Sequence, residues 1–174
     1  GAAFTYSVAS SGVINGITCP TVAATAAISI SNNNFQGFNQ TVAGSGAHNY
    51  ISLTHSPSGA TTNNINNNTF TNLSANTSGT ITFIFRSGSM ALNAGATENC
   101  NNNAIVTAFA KPTAGGNLRM YLGTGAHQSG NTQVQSGNNF SNISVTGATI
   151  VTGWINGEGS STSAPVKTIE NNTF

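Results

Sequence analysis

A motif that recurs about every 35 residues constrains the fold of this chain more than any other feature. Its clearest copy is Ile65-Asn66-Asn67-Asn68-Thr69-Phe70, in which an Asn-rich turn lies between two apolar residues. The apolar residue that closes successive copies falls at positions 35, 70, 105, 140 and 174, so the spacings are 35, 35, 35 and 34 residues. A constant period of this size is typical of proteins that stack one structural unit on the next. The sequence therefore predicts a repeat architecture.

Each repeat contains three apolar segments separated by polar turns, as the first complete repeat illustrates. Ile28-Ser29-Ile30 alternates with the period of a strand, a second segment surrounds Phe35 and Phe38, and Tyr50-Ile51-Ser52-Leu53 forms the third. Asn, Gly and Ser occupy the turns between them, and no segment has the period of a helix. This pattern predicts an all-β protein, a parallel and right-handed β-helix solenoid of about five coils of about 35 residues, with three short strands per coil.

Stacking the coils aligns equivalent apolar residues in columns that point into the core. The anchor residues form the first predicted column, namely Phe35, Phe70, Ile105, Phe140 and Phe174. A second column contains Ile30, Ile65, Cys100 and Ile169. In the fourth repeat Gln135 occupies this slot and Val134 precedes it, which predicts a β-bulge.

The repeated Asn residues predict a structural ladder at one corner of the stack. Identical amides one coil apart can donate hydrogen bonds to each other and accept them along the whole stack. Asp in the same slots would place like charges next to each other, and the chain contains 26 Asn and no Asp. The residues expected in the ladder are Asn32, Asn33, Asn67, Asn68, Asn102, Asn103, Asn138, Asn139, Asn171 and Asn172.

Composition excludes several classes of function. Only 4% of the residues are charged, against about 25% in an ordinary soluble domain. A net charge of +1 provides no basic stripe to bind nucleic acid. The sequence contains no run of about 18 apolar residues, so no membrane span is predicted. Cys19 and Cys100 lie too far apart for a metal-ligand motif, so we expect two free thiols and no cofactor.

Candidates for chemistry are few and scattered. Glycoside hydrolases need paired carboxylates, but Glu98, Glu158 and Glu170 fall at different offsets from their anchors and do not share a column. Arg86 and Arg119 follow or interrupt the third segment, where the prediction is solvated side chains that limit lateral aggregation. An alternative is that they neutralise an acidic polysaccharide in a lyase-like enzyme.

Three aromatic residues of the third segment leave two uses open. Tyr50, Tyr121 and Trp154 can pack in the core, or they can stack on a sugar ring if the solenoid exposes them. Exposure would make this face a carbohydrate-binding module.

The residues from Ile65 to Phe70 and from Ile169 to Phe174 follow the pattern I-x-N-N-x-F. In this pattern the chain resembles the parallel β-helix repeats of very large secreted bacterial surface proteins, including adhesins, filament proteins and proteins of gliding bacteria. The resemblance implies a charge-poor rod at the bacterial cell surface. Its implied partners are further coils of the same chain or identical subunits, with surface polysaccharide as another candidate.

We therefore expect residues 1–174 to form a single β-helix segment that is a window of a longer repeat array, because both ends lie near the same phase of the repeat without an atypical cap. The expected function is a non-catalytic structural segment of an extracellular bacterial surface fibre or adhesin, built by end-to-end stacking of coils. A polysaccharide-active, lyase-like enzyme and a carbohydrate-binding module are the alternatives, since this fold serves all three classes.

Overall fold

Parallel strands stacked one turn apart make up the computed structural model, which describes residues 4–86, 92–157 and 164–174. All strand pairs are parallel, and paired residues lie about one repeat apart, as in Phe35 with Phe70 and Ile81 with Leu118. The described residues contain no helix. The prediction of an all-β parallel solenoid with about five turns is therefore confirmed.

The strands, numbered in chain order, lie on four faces. Face I consists of β3 (Ser29–Ser31), β7 (Thr62–Asn66), β10 (Thr97–Asn99), β14 (Thr132–Ser136) and β17 (Val166–Glu170). Face II consists of β4 (Asn34–Gln36), β8 (Thr69–Thr71) and β11 (Ala104–Ile105), and it continues through single bridges at Asn139 and Thr173. Face III consists of β1 (Phe4–Tyr6), β5 (Phe38–Gln40), β12 (Phe109–Lys111) and β15 (Ile143–Val145), with a bridge at Ser74 between β5 and β12. Face IV consists of β2 (Ile14–Cys19), β6 (His48–Leu53), β9 (Ile81–Arg86), β13 (Asn117–Gly123) and β16 (Ile150–Asn156).

The chain passes through faces IV, I, II and III in each turn. We number the coils 1 to 5 by their face I strands, so that β3 belongs to coil 1 and β17 to coil 5. The sequence predicted three strands per coil, whereas the structure has four strand positions. The second predicted segment is divided by a residue with positive φ, Gly37 at 71° in coil 1 and Asn72 at 53° in coil 2. This left-handed residue turns the chain, so that faces II and III meet at a corner.

Aromatic rings fill the centre of the stack. Phe35 and Phe70 stack with ring centroids 5.1 Å apart, and Phe70 meets the edge of Phe83 at 4.8 Å. In the predicted anchor column Phe70, Ile105 and Phe140 are buried. The end coils differ, because Phe35 is only half-buried and Phe174 is 56% exposed.

The bulge predicted at Gln135 is wrong. Val134 pairs with Asn99 and Gln135 pairs with Ile169 without interruption, so Gln135 occupies the inward slot itself. Its side chain is buried, and its Oε1 accepts a hydrogen bond from the indole nitrogen of Trp154 at 2.6 Å. A polar donor in the core therefore replaces the expected distortion of the backbone.

Candidate functional site

One Asn from each coil forms a continuous ladder of side-chain amides at the corner between faces I and II. The members are Asn33, Asn68, Asn103, Asn138 and Asn172. Each Nδ2 donates to Oδ1 of the next member, at 2.9, 2.9, 2.9 and 2.8 Å. The backbone N–H of each donor residue is bonded to the same Oδ1, at 3.0 to 3.2 Å. Every acceptor in the ladder therefore receives two hydrogen bonds from the coil before it.

The ladder also joins each coil to the preceding one through the backbone. The second hydrogen of Nδ2 is bonded to a carbonyl oxygen, as in Asn68 to Ile30 at 2.8 Å and Asn172 to Gln135 at 2.9 Å. Asn68, Asn103 and Asn138 are buried, where a polar group without a partner would be costly. All four rungs point in the same direction along the stack.

The Asn that precedes four of the five ladder members has a different role, which corrects four of the ten predicted ladder residues. Asn32, Asn67, Asn102 and Asn171 have exposed side chains and positive φ angles of 59°, 57°, 56° and 55°. Gly137 takes the same position in coil 4, with φ of 67°. These residues turn the corner, because Asn and Gly tolerate the left-handed conformation.

Asn139 also lies outside the ladder. It is one residue beyond Asn138, and its exposed Oδ1 accepts hydrogen bonds from the backbone and hydroxyl of Ser141. In coil 4 Gly137 takes the turn position that Asn67 holds in coil 2, so Asn138 takes the ladder position. Asn139 therefore falls one residue after the ladder.

A second, outward set of amides on face I was not predicted. Oδ1 of Asn66 accepts from the backbone N–H of Asn101, and Oδ1 of Asn101 accepts from that of Ser136, both at 2.9 Å. On the same face Asn99 donates to Asn64 at 2.9 Å. The sequence does contain a signal for this set, because an Asn directly follows the inward residue of the motif in two coils, as Asn66 follows Ile65 and Asn101 follows Cys100.

The three aromatic candidates for sugar stacking belong to the core. Tyr50 and Tyr121 are buried, Tyr50 stacks on Phe83 at 5.1 Å, and Tyr121 stacks on Trp154 at 4.5 Å. Burial raises the pKa of Tyr50. Trp154 is half-buried on the last coil, and its indole N–H points to Gln135 in the interior. The sugar-stacking hypothesis is wrong for the two tyrosines, because a buried ring has no surface to offer a sugar.

Arg86 is not the solvated side chain that the sequence predicts. Its Nε lies 2.7 Å from Oε2 of Glu98, and both side chains are fully buried. Gln133, one coil above, donates to the other carboxylate oxygen at 3.0 Å. Arg86 is the last residue of β9 and pairs in register with Gly123. Arg119 lies on the outward side of β13 and is half-buried.

A second buried cation lies at the corner between faces III and IV. Nζ of Lys111 donates to the carbonyl oxygens of Thr77, Thr113 and Gly115 at 2.7, 2.5 and 2.7 Å, and burial lowers its pKa. His48 is also buried, and burial together with the nearby Lys111 charge lowers its pKa to about 4. The Lys111 ammonium is therefore bonded inside the corner, and both side chains are buried rather than presented to a substrate.

The described residues bring no metal site together. Within residues 4–86, 92–157 and 164–174, no three His, Cys, Asp or Glu side chains are placed to hold a metal ion. Neither Cys19 nor Cys100 forms a disulfide with the other, and Cys100 is buried. His127 is buried in the loop that follows β13, away from the strand that carries His48. Glu158 lies outside the described residues.

Large apolar side chains are exposed at both ends of the stack. At the first-coil end, formed by β1, β2, β3 and β4, Phe4 is 64% exposed. This end also opens a cavity of about 370 Å³ lined by Phe35, Phe38 and Gly16 among others. At the last-coil end, formed by β15, β16, β17 and residues 172–174, Ile150 is 65% and Phe174 56% exposed.

Comparisons of the chain with protein-family models, with curated proteins and with solved structures find no match. The described part of the chain contains no helix with the length and apolar character needed to cross a membrane. The candidate site is therefore defined by geometry alone, and it consists of the two coil ends together with the ladder that runs between them.

Proposed function

We propose that this chain is a non-catalytic structural segment of an extracellular bacterial surface fibre or adhesin, in which further coils stack on the coil ends. The observation that carries the proposal is the amide ladder, which crosses all five coils and stops at both ends with hydrogen-bonding groups still available. Free strand edges and exposed apolar side chains surround those groups. A surface of this kind is normally covered by a cap or by a neighbouring chain.

The arrangement of charges supports a structural role over a lyase-like enzyme. Arg86, Glu98 and Lys111 are buried and bonded inside the coils, so these groups are not presented to a polysaccharide. A location at the bacterial cell surface follows from the resemblance of the repeats to those of secreted surface proteins. The partners are further coils, in the same chain or in identical subunits, and surface polysaccharide is a candidate ligand of the finished fibre.

Sedimentation velocity across a hundredfold dilution series tests the stacking. We expect the 174-residue chain to associate into rods as its concentration rises, because association removes both apolar ends from water. Phe174→Glu places a charge on the last-coil end and should weaken association. The matched control is Val106→Glu, which changes an equally exposed residue (54%) on the side of coil 3 and should leave association unchanged. A folded monomer at every concentration would refute the proposal.

A further inference from the structure

We infer that the coil ends join only head to tail and in one register, with the first-coil end of one copy seated on the last-coil end of another. This inference rests on the proposed stacking and adds its direction, its register and its partner, which is a second copy of this chain. The determining feature is the polarity of the amide ladder.

The two ends of the ladder are chemically different. At the first-coil end Asn33 donates from its Nδ2 and its backbone N–H to Oδ1 of Asn68, and its own Oδ1 accepts from no other described coil. At the last-coil end Oδ1 of Asn172 is already bonded to Asn138, which leaves a backbone N–H and one hydrogen of Nδ2 as donors. Two donors on one end thus match one acceptor with two lone pairs on the other.

Other orientations lose this match. Two first-coil ends would place one Asn33 oxygen against another, and two last-coil ends would place donors against donors. Each leaves polar groups without partners as the apolar surface around them becomes buried, which costs free energy. Head-to-tail contact instead repeats the rung seen four times within the chain.

Strand direction and register lead to the same arrangement. The free edges at the last-coil end are β15, β16, β17 and residues 172–174, and those at the first-coil end are β1, β2, β3 and β4, which lie on the same four faces in the same order. Continuing the pairing of Ile30 with Ile65 and of Gln135 with Ile169 seats Ile30 of the next copy on Ile169. Ser29 then lies over Thr168, and Phe35 over Phe174.

The apolar surfaces are complementary in this register. Phe174 projects from the last-coil end, and the cavity beside Phe35 opens at the first-coil end. Within the chain, Phe35 already stacks on Phe70 at 5.1 Å, and Phe174 would meet the other side of Phe35 in the same manner. Residues 1–85 carry no Lys, Arg, Asp or Glu, so Lys167 and Glu170 of the last coil face no like charge. A contact between two different surfaces gives an open filament when its rotation does not close a ring. Because this contact continues the axial stacking of the coils, copies add without limit into a rod.

Disulfide trapping tests the direction and the register together. We use the double variant Ser29→Cys/Thr168→Cys in a Cys19→Ser background, because both positions face outward on face I and alternate with the inward residues Ile30 and Ile169. Parallel neighbouring strands lie about 4.8 Å apart, within the Cα separation of about 4.4–6.8 Å that a disulfide spans. After mild oxidation we expect a series of covalent multimers on a non-reducing gel.

Three controls separate the alternatives. Ser29→Cys alone and Thr168→Cys alone should remain monomeric on the gel, and Ser31→Cys/Thr168→Cys, displaced by two residues, should cross-link poorly. Covalent dimers of either single variant would overturn the head-to-tail orientation. Association in sedimentation without covalent multimers of the double variant would overturn the register and leave the proposed function standing. No association of the unmodified chain would overturn the proposed function itself.

Discussion

At the scale of single residues, one amino acid performs two tasks at adjacent positions. Asn67 turns the corner with a left-handed backbone and an exposed side chain, whereas Asn68 is buried in the ladder. The repeat predicted that amides would stack, but two neighbouring Asn look alike in sequence, so it could not show which of them points inward. The informative coil is the fourth, where Gly137 replaces the first Asn. Gly and Asn share this position because both adopt a positive φ at low cost.

The different positions of Asn67 and Asn68 predict that the two residues differ in their sensitivity to an introduced charge. Asn68→Asp removes the donor to Ile30 and Asn103 and buries a carboxylate beside two oxygen acceptors. Desolvation and these acceptors raise the folded-state pKa of the new carboxyl above its unfolded value of about 3.9. The free energy of unfolding therefore falls as the pH rises from the unfolded-state pKa through the folded-state pKa. We expect a loss of about 3–5 kcal/mol at pH 7 and a clearly smaller loss at pH 3, from urea unfolding against the parent chain at each pH. Asn67→Asp is the matched control and should cost at most about 1 kcal/mol. Equal losses of stability at pH 3 and pH 7 would show that the charge of the new carboxylate does not cause the destabilisation.

At the scale of elements, the face IV strand departs from simple alternation. Tyr50 and Ile51 are both buried, as are Phe83 and Ile84 in the next coil. Alternation with period two predicts one inward and one outward residue in each pair, which is why the tyrosines could be considered for an exposed face. Both residues of each pair belong to the apolar core, so strict alternation is interrupted within the strand. Sequence pattern predicted the strand but not this change of phase.

The buried pair Arg86 and Glu98 was missed for a related reason, since their contact depends on how faces I and IV meet. Glu98→Gln leaves the guanidinium buried without its carboxylate and should cost about 3–5 kcal/mol. The double variant Arg86→Met/Glu98→Leu removes both charges, and we expect it to lose less than the single variant. Denaturant unfolding of the parent chain, of the single variants Arg86→Met and Glu98→Leu, and of the double variant measures the coupling. If the losses in the free energy of unfolding of the two single variants added up to that of the double variant, the two charges would not stabilise each other.

At the scale of the whole molecule, the solenoid behaves as a one-dimensional stack. Each interior strand pairs with the coils before and after it, as β9 does with β6 and β13, whereas β16 and β2 are paired on one side only. The architecture could be predicted because a 35-residue period repeats its core residues coil by coil. The hydrogen-bonding groups at the two ends could not be predicted, because they depend on which way each amide points and not on which residues recur.

This organisation predicts a gradient of backbone protection that depends on assembly. Stability in stacked repeats is a sum of coil and interface contributions, so the end coils should open at a lower free-energy cost than the middle. In hydrogen exchange followed by mass spectrometry, peptides that cover β9 should exchange most slowly and those that cover β2 and β16 fastest in dilute solution. At concentrations where rods form, β2 and β16 should both slow, because each gains the coil it lacks. In Phe174→Glu the end strands should stay fast at every concentration. Protection that is uniform along the chain, or end strands that stay fast within sedimenting rods, would contradict a stack that is completed at its ends by another coil.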